Sequence, residues 1–394
     1  MLNTKMQALG DAPSPIRALF AYGAQRKKEI GSDKVFDFSI GNPSVAAPES
    51  IGREIVKLGQ ADPVAVHAYT QSAGDPGVLQ TIAESFNRRF GTSYTNKNFY
   101  LVAGASGAIS CTLRALLEPE DEVIAITPYF TEYRIWTEAH GGTLVEVPAR
   151  SDNFEMDLDA LEAAITAHTK VVIINSPNNP VGVVYSRQNE EGLADLLRRK
   201  SVEYGSPIFL LSDEPYRELV YGGREVPWVP DLYDDTIVCY SWSKCLSLPG
   251  ERMGFVLVPD AVTQSRAVYS AVCGAGRSLG YICAPSLFQK VIAKCVDEQT
   301  DITAYERNRK LLCEILDEFG YEYIEPQGAF YLWVKALEPD AEAFSEQAKK
   351  HELLLVPSNG FGVEGWVRLG YCVSEDTIRN SCDAFGALKA DYGK

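Results

Sequence analysis

Histidine is scarce in this 394-residue chain, and the four that occur, His67, His140, His168 and His351, lie far apart. No HExxH or comparable pair sets two of them on one helix face, so no local metal signature exists. Positive charge is also short: 37 Lys and Arg face 53 Asp and Glu, a formal charge of -16. Such a chain is repelled by phosphate backbones and anionic lipid, which argues against nucleic-acid and membrane partners. A membrane helix would need about 18 to 20 consecutive apolar residues, and none occurs. The start, MLNTKMQALGDAPSPIR, has no apolar stretch after a basic one, so a cytoplasmic protein is expected. None of the nine cysteines forms CxxC and their number is odd, which speaks for buried, reduced thiols rather than a disulfide framework or zinc ribbon. GxxxxGK is missing too, and with it a nucleotide-triphosphate loop.

What is present is an ordinary folding composition, 46% hydrophobic and 23% charged, in a chain long enough for a large domain plus a smaller one. From about residue 98 to 258, short β-rich runs (NFYLVAG, DEVIAIT, GGTLVEVP, KVVIINS, PIFLLSD, TIVCYSWS, GFVLVPD) alternate with helical stretches. Seven such runs predict an α/β fold around a mostly parallel seven-stranded sheet. Ile109, Leu113, Leu116 and Leu117 repeat at helical spacing after the first run, and Leu158, Leu161 and Ile165 follow a cap at Asp157. Beyond Pro285 a long helical stretch precedes GAFYLWVKA and EGWVRLGYC, which predicts a smaller α+β domain. The expected division is 1–45 as an N-terminal arm and part of the small domain, 46–285 as the large domain, and 286–394 as the small domain opening on a long connecting helix. No repeat, low-complexity tract or Ser/Gly linker marks the boundary.

In open parallel sheets ligands bind beyond the carboxyl ends of the strands, so polar residues directly after the strand runs matter most. Gly104-Ala105-Ser106-Gly107 opens a helix whose free N–H groups suit a phosphate, although Gly/Ser clusters also serve as plain turns. Asn175-Ser176-Pro177-Asn178-Asn179-Pro180-Val181-Gly182 is a stiff polar loop, either a tight turn or a ligand loop carrying Asn179. Ser212-Asp213-Glu214-Pro215-Tyr216 sets a carboxylate at a strand end, and Ser241-Trp242-Ser243-Lys244 does the same for an amine. A lysine brought inside a fold is favoured when its amine becomes neutral or covalently used, the environment of imine-forming lysines. Arg252, eight residues on in LPGERMG, can grip a dianion as a fixed fork.

Together NxPxNPxG, DxxY, SxSK and PGxRxG, in that order, resemble the class I/II aminotransferases, pyridoxal-phosphate (PLP) enzymes of fold type I such as aspartate aminotransferase. The resemblance runs from Ile40-Gly41-Asn42-Pro43 to Val367-Arg368-Leu369. It implies that 46–285 is the PLP-binding domain, that Lys244 carries the cofactor as an imine, and that Asp213 pairs with the pyridine nitrogen. It further implies that Tyr216 and Asn179 hold the ring's phenolic oxygen, that Ala105, Ser106, Ser241 and Arg252 form the phosphate cup, and that Phe130 stacks on the ring. Lys244, Asp213 and Tyr216 are then the catalytic candidates. Gly41 matches the small residue over the substrate, and Arg368 the clamp on its α-carboxylate. Tyr69, in HAYTQSAGDPG, resembles the tyrosine that reaches the neighbouring subunit's phosphate, which implies a homodimer with composite sites.

The implied reaction moves an amino group from an L-amino acid to a 2-oxo acid by a ping-pong cycle in which Lys244 is leaving group, base and acid. A carbon-sulfur β-lyase of the same fold would share these motifs, and ammonia release without amino transfer distinguishes it. A non-catalytic regulator of this fold fits least, since Lys244 is present and no DNA-binding segment is appended. Among substrates, aspartate with 2-oxoglutarate heads the candidates, with alanine and aromatic amino acids next. Ser106 stands where some bacterial aspartate aminotransferases place a lysine, a departure that puts the dicarboxylate reading in doubt. Arg277, in CGAGRSLGY, is the candidate cation for a second carboxylate, from across the subunit boundary.

Overall fold

A computed structural model of the chain describes residues 2–11 and 15–393. Its strands are β1 (Phe36–Asp37), β2 (Phe99–Val102), β3 (Glu122–Thr127), β4 (Thr143–Pro148), β5 (Thr169–Asn175), β6 (Phe209–Asp213), β7 (Thr236–Ser241), β8 (Gly254–Leu257), β9 (Tyr323–Ile324), β10 (Tyr331–Lys335), β11 (Leu353–Leu354), β12 (Val356–Pro357) and β13 (Trp366–Gly370). Strands β2 to β8 are the seven runs read from the sequence, joined in the order β2-β8-β7-β6-β5-β3-β4. Only β8 runs against its neighbours; the other pairs are parallel, as expected of the α/β sheet.

The sheet is covered on both faces, which is why its strands read as near-continuous apolar runs. In β5, Val171 and Ile173 pack with Ile109 and Leu113 on one side, while Val172 and Ile174 pack with Leu193 and Leu197 on the other. Helix Gly104–Leu116 lies against β7 and β8 and is itself backed by helix Ser265–Leu279.

The second sheet is antiparallel, in the order β12-β13-β10-β9, and β1 pairs in parallel with β11 near it. The long connecting helix expected after Pro285 is instead two helices, Ser286–Cys295 and Ile302–Glu318. Between them Thr300 is anchored, its N–H donating to Cys245 O at 2.8 Å and its hydroxyl to Ala46 O at 3.0 Å, and Asp301 caps the second helix. The first of the two packs on helices Glu49–Gly59 and Pro76–Phe90, beside the large sheet. One apolar cluster runs through both units, from Leu101, Val238 and Phe255 to Leu332 and Val367. Where the units meet, Gln327 and Gly328 donate backbone N–H groups to Gly182 O at 2.8 and 2.9 Å, so the loop after β5 is fixed by the second unit. Among the described residues no helix is long and apolar enough to cross a membrane, and all nine cysteines are free.

Candidate active site

Strand β7 ends at Ser241, whose Oγ accepts the Ser243 N–H at 3.1 Å and turns the chain into the short helix Trp242–Cys245. That turn aims Lys244 into a cavity of about 240 Å³ at the carboxyl ends of β5, β6 and β7. Its Nζ donates to Gly41 O at 2.6 Å and lies 5.3 Å from the centre of the Phe330 ring. Burial lowers the amine to about 8, and the positive charges of Arg252 and Arg368 push the same way. A lysine so placed is still mostly protonated at neutral pH, but the neutral form, the state that acts as base and nucleophile, is far more populated than in a free lysine.

Asp213, the last residue of β6, lines the same cavity. Tyr133 donates to its Oδ2 at 2.6 Å, whereas Oδ1 is buried without a partner among the described residues. Burial raises this carboxyl to about 7; the Tyr133 bond opposes the rise and Glu214 adds to it. Asn175, at the end of β5, secures the strand end by donating to Asp213 O at 2.8 Å and accepts the Asn179 N–H at 2.7 Å. Asn179 in turn accepts from Arg368 Nη1 at 3.1 Å, while Arg368 Nη2 donates to Ser39 O at 2.7 Å. Arg368 is 2% exposed, and its Nε has no partner among the described residues. Buried donors of this kind are costly unless something completes them, and a carboxylate is the group a guanidinium fork matches.

Tyr216 and Tyr331 lie on the same wall with their hydroxyls 2.9 Å apart. At Gly41 an added Cβ would come within 1.9 Å of the Tyr331 hydroxyl, so only glycine lets the backbone pass at this point. At the cavity's other end Ala105 and Ser106 open helix Gly104–Leu116, whose N-cap, Ala103, offers no side-chain oxygen and leaves first-turn N–H groups for another acceptor. Arg252, in the left-handed conformation at φ 54°, reaches this end and donates to Pro249 O at 2.9 Å and Ala103 O at 3.2 Å. Gly104, at φ 75°, is equally constrained, because a Cβ there would sit 2.8 Å from Arg252 Nη2. Helix dipole, arginine and the Ser241 hydroxyl together make an anion-binding corner.

Thus Gly41, Ala105, Ser106, Phe130, Asn179, Asp213, Tyr216, Ser241, Lys244, Arg252 and Arg368 all line one cavity. Two candidates do not. Tyr69 is 95% exposed, and Arg277 is exposed in the last turn of helix Ser265–Leu279. Sequence reasoning missed Tyr133, Asn175, Trp136, Tyr331 and Ile16. Asn175 carried the signal used for its neighbours, a polar residue closing a strand run. Tyr133 and Tyr331 carried no such signal, being aromatics in apolar surroundings, and both are buried.

The profile of the family "Aminotransferase class I and II" matches residues 33–385. An aspartate/prephenate aminotransferase of Thermus thermophilus is 29% identical over 395 residues, 98% of both chains. An aspartate aminotransferase of Pyrococcus abyssi is 30% identical over 384 residues, 94% of both. Among solved structures, an aminotransferase from Eubacterium rectale superposes with a TM-score of 0.97 at 51% identity, covering both chains in full. Aspartate aminotransferase from Thermus thermophilus with maleate gives 0.86 at 27% identity over 98% of this chain and 99% of that one. Whole-length agreement in sequence and fold, around a cavity that Lys244 and the buried Asp213 both line, makes this chain an aminotransferase belonging to the class I and II family.

Proposed function

We propose that the chain binds pyridoxal 5'-phosphate in this cavity and transfers the amino group of an L-amino acid to a 2-oxo acid. The carrying observation is the unpartnered Asp213 Oδ1 in the same cavity as the Lys244 amine. The residues fit the cofactor: Lys244 would hold it covalently, Asp213 its ring nitrogen, and Tyr216 and Asn179 its phenolic oxygen. Ala105, Ser106, Ser241 and Arg252 would take its phosphate, with Phe130 against the ring. When bound, the cofactor supplies an electron-withdrawing ring that stabilises the charge left as the donor loses its Cα proton.

The chain's own groups do the rest. Arg368 holds the α-carboxylate and so fixes which Cα bond faces Lys244. Lys244 Nζ, lowered to about 8, accepts that proton and returns it. Asp213 keeps the proton on the ring nitrogen, and the apolar wall formed by Ile109, Phe130 and Trp136 excludes water.

Aspartate, which the relatives' names carry, is the first donor to test, with 2-oxoglutarate as the acceptor. Lys244, Arg252 and Arg368 are the cations lining the cavity, and each already has a role. A second carboxylate would therefore need Arg277 from another copy of the chain, and Tyr69, exposed on the surface, would likewise reach a neighbour's phosphate end. We accordingly read the enzyme as a homodimer, and its nine free cysteines suit the reducing cytoplasm. The apolar wall favours aromatic donors as the second reading. The test is the visible spectrum of the protein reconstituted with pyridoxal phosphate. Its band should be lost on adding one amino donor, be restored by one oxo acid, and be missing altogether from Lys244→Ala.

A further inference from the structure

Tyr331 touches more of the site than any role assigned above requires. Its hydroxyl is bonded to that of Tyr216 at 2.9 Å, and its ring lies under the Arg368 guanidinium, 4.5 Å from Cζ to ring centre. Strand pairing explains the second contact. In the antiparallel β10–β13 pair Trp333 is opposite Arg368, so Tyr331, two residues along, is the diagonal neighbour on the same face. Both tyrosines are buried, and neither hydroxyl has another hydrogen-bond partner among the described residues.

Counting protons shows what this pair does. Two phenols own two protons, and the bond between them uses one. One proton therefore remains for the cavity that both side chains line. Either hydroxyl can be the donor of that bond, and once an acceptor in the cavity takes the Tyr216 proton, Tyr331 is left to donate to Tyr216. Burial holds both phenols above their ordinary range, so both keep their protons at working pH. A phenol that accepts one hydrogen bond becomes a stronger donor of its own.

We infer that Tyr331 is a positioning residue with two functions: its hydroxyl directs and strengthens the donor proton of Tyr216, and its ring holds the plane of Arg368 against the substrate carboxylate. Ring and hydroxyl thus join the cofactor's oxygen partner and the substrate's anchor through one side chain. The inference rests on the reading of the cavity as a pyridoxal-phosphate site. Gly41 belongs to the same arrangement, because its lack of a Cβ leaves room for the Tyr331 hydroxyl.

Separate variants distinguish the two functions. Tyr331→Phe keeps the ring and removes the hydroxyl. In the reconstituted enzyme the pH midpoint of the visible band should rise by about half a unit, because a weaker Tyr216 bond leaves more charge on the ring oxygen to retain the neighbouring proton. The donor KM should stay within about twofold, since the cation–π platform remains. In a Tyr216→Phe background the same change should move the midpoint no further, as expected of a group acting through Tyr216. Tyr331→Leu should in addition raise the donor KM roughly tenfold, a loss of about 1.4 kcal/mol in carboxylate binding. An unmoved midpoint in Tyr331→Phe, or an equal shift with and without Tyr216, would overturn the hydroxyl's function, and an unchanged KM in Tyr331→Leu the ring's. A wild-type protein that develops no visible band with pyridoxal phosphate would instead refute the cofactor reading on which this rests.

Discussion

Tyr133 donates its hydroxyl proton to one oxygen of Asp213 at 2.6 Å, and the other oxygen of that carboxylate, equally buried, has no partner among the described residues. The carboxylate is thus held from one side and open on the other. Tyr133→Phe removes the only side-chain donor that opposes the burial effect on Asp213, so the carboxyl should rise above about 7. The apoprotein should lose about 1–3 kcal/mol for the newly orphaned oxygen, read from denaturant midpoints. Equilibrium dialysis should show weaker retention of pyridoxal phosphate, because less Asp213 is ionised to pair with the ring.

Lys244 predicts a pH signature of the apoprotein. Its amine is lowered from 10.5 to about 8, so between those values the unfolded chain binds the proton that the folded chain has released. Stability contributed by this group therefore rises as pH goes from 8 to 10.5 and is lowest below 8. Replacing the amine by Lys244→Met should stabilise the apoprotein at pH 7, and the advantage should shrink steadily towards pH 10.5. Urea unfolding of both proteins across that range measures it.

Glu190 lies outside the catalytic cavity, is 2% exposed, and has neither carboxyl oxygen bonded to a partner among the described residues. Burial raises it from 4.5 to about 8, with Arg217 opposing and Glu214 adding. Through that window the folded chain keeps a proton that the unfolded chain gives up, so wild-type stability falls with rising pH. The advantage of Glu190→Gln, which carries no charge, should grow between pH 4.5 and 8 and level off above. A constant advantage in thermal unfolding at pH 5, 7 and 9 would contradict this.

Gly41→Ala should be poorly tolerated, because the new Cβ meets the Tyr331 hydroxyl at 1.9 Å and the Tyr331 ring carbon Cζ at 2.8 Å. Overpacking of this kind costs about 1–3 kcal/mol. Since Gly41 O also accepts from Lys244, kcat/KM should drop at least about tenfold beyond what the loss in stability explains, an effect that steady-state kinetics below the unfolding temperature can separate.

How far the sequence could be read follows from which residues depend on local pattern. Strands β2 to β8 were legible because burial on both faces demands unbroken apolar runs, and strand-end polar residues such as Asp213 and Lys244 stand out against them. Tyr331 was not legible. GAFYLWVKA reads as a strand whichever way it packs, and only the meeting of the second sheet with the segment after β6, where Ala329 N–H donates to Leu219 O, brings it to Tyr216. Tyr133 was hidden for a related reason, since an aromatic on an amphipathic helix ordinarily fills a core. The break at Thr300 was missed because its anchors, Cys245 O and Ala46 O, are distant in sequence. Tyr69 and Arg277 sit on the chain's outer surface, and the roles proposed for them require a second copy.

The hydrogen bond from Arg368 to Ser39 spans 329 positions of chain. A ribosome delivers residue 39 at the start of synthesis and residue 368 nearly at its end, so the two cannot meet until translation is almost complete. A stalled or shortened product that ends before residue 368 lacks this bond, and with it the carboxylate grip proposed for Arg368. Quality control that reads ligand-binding competence would therefore report on the completeness of the whole polypeptide.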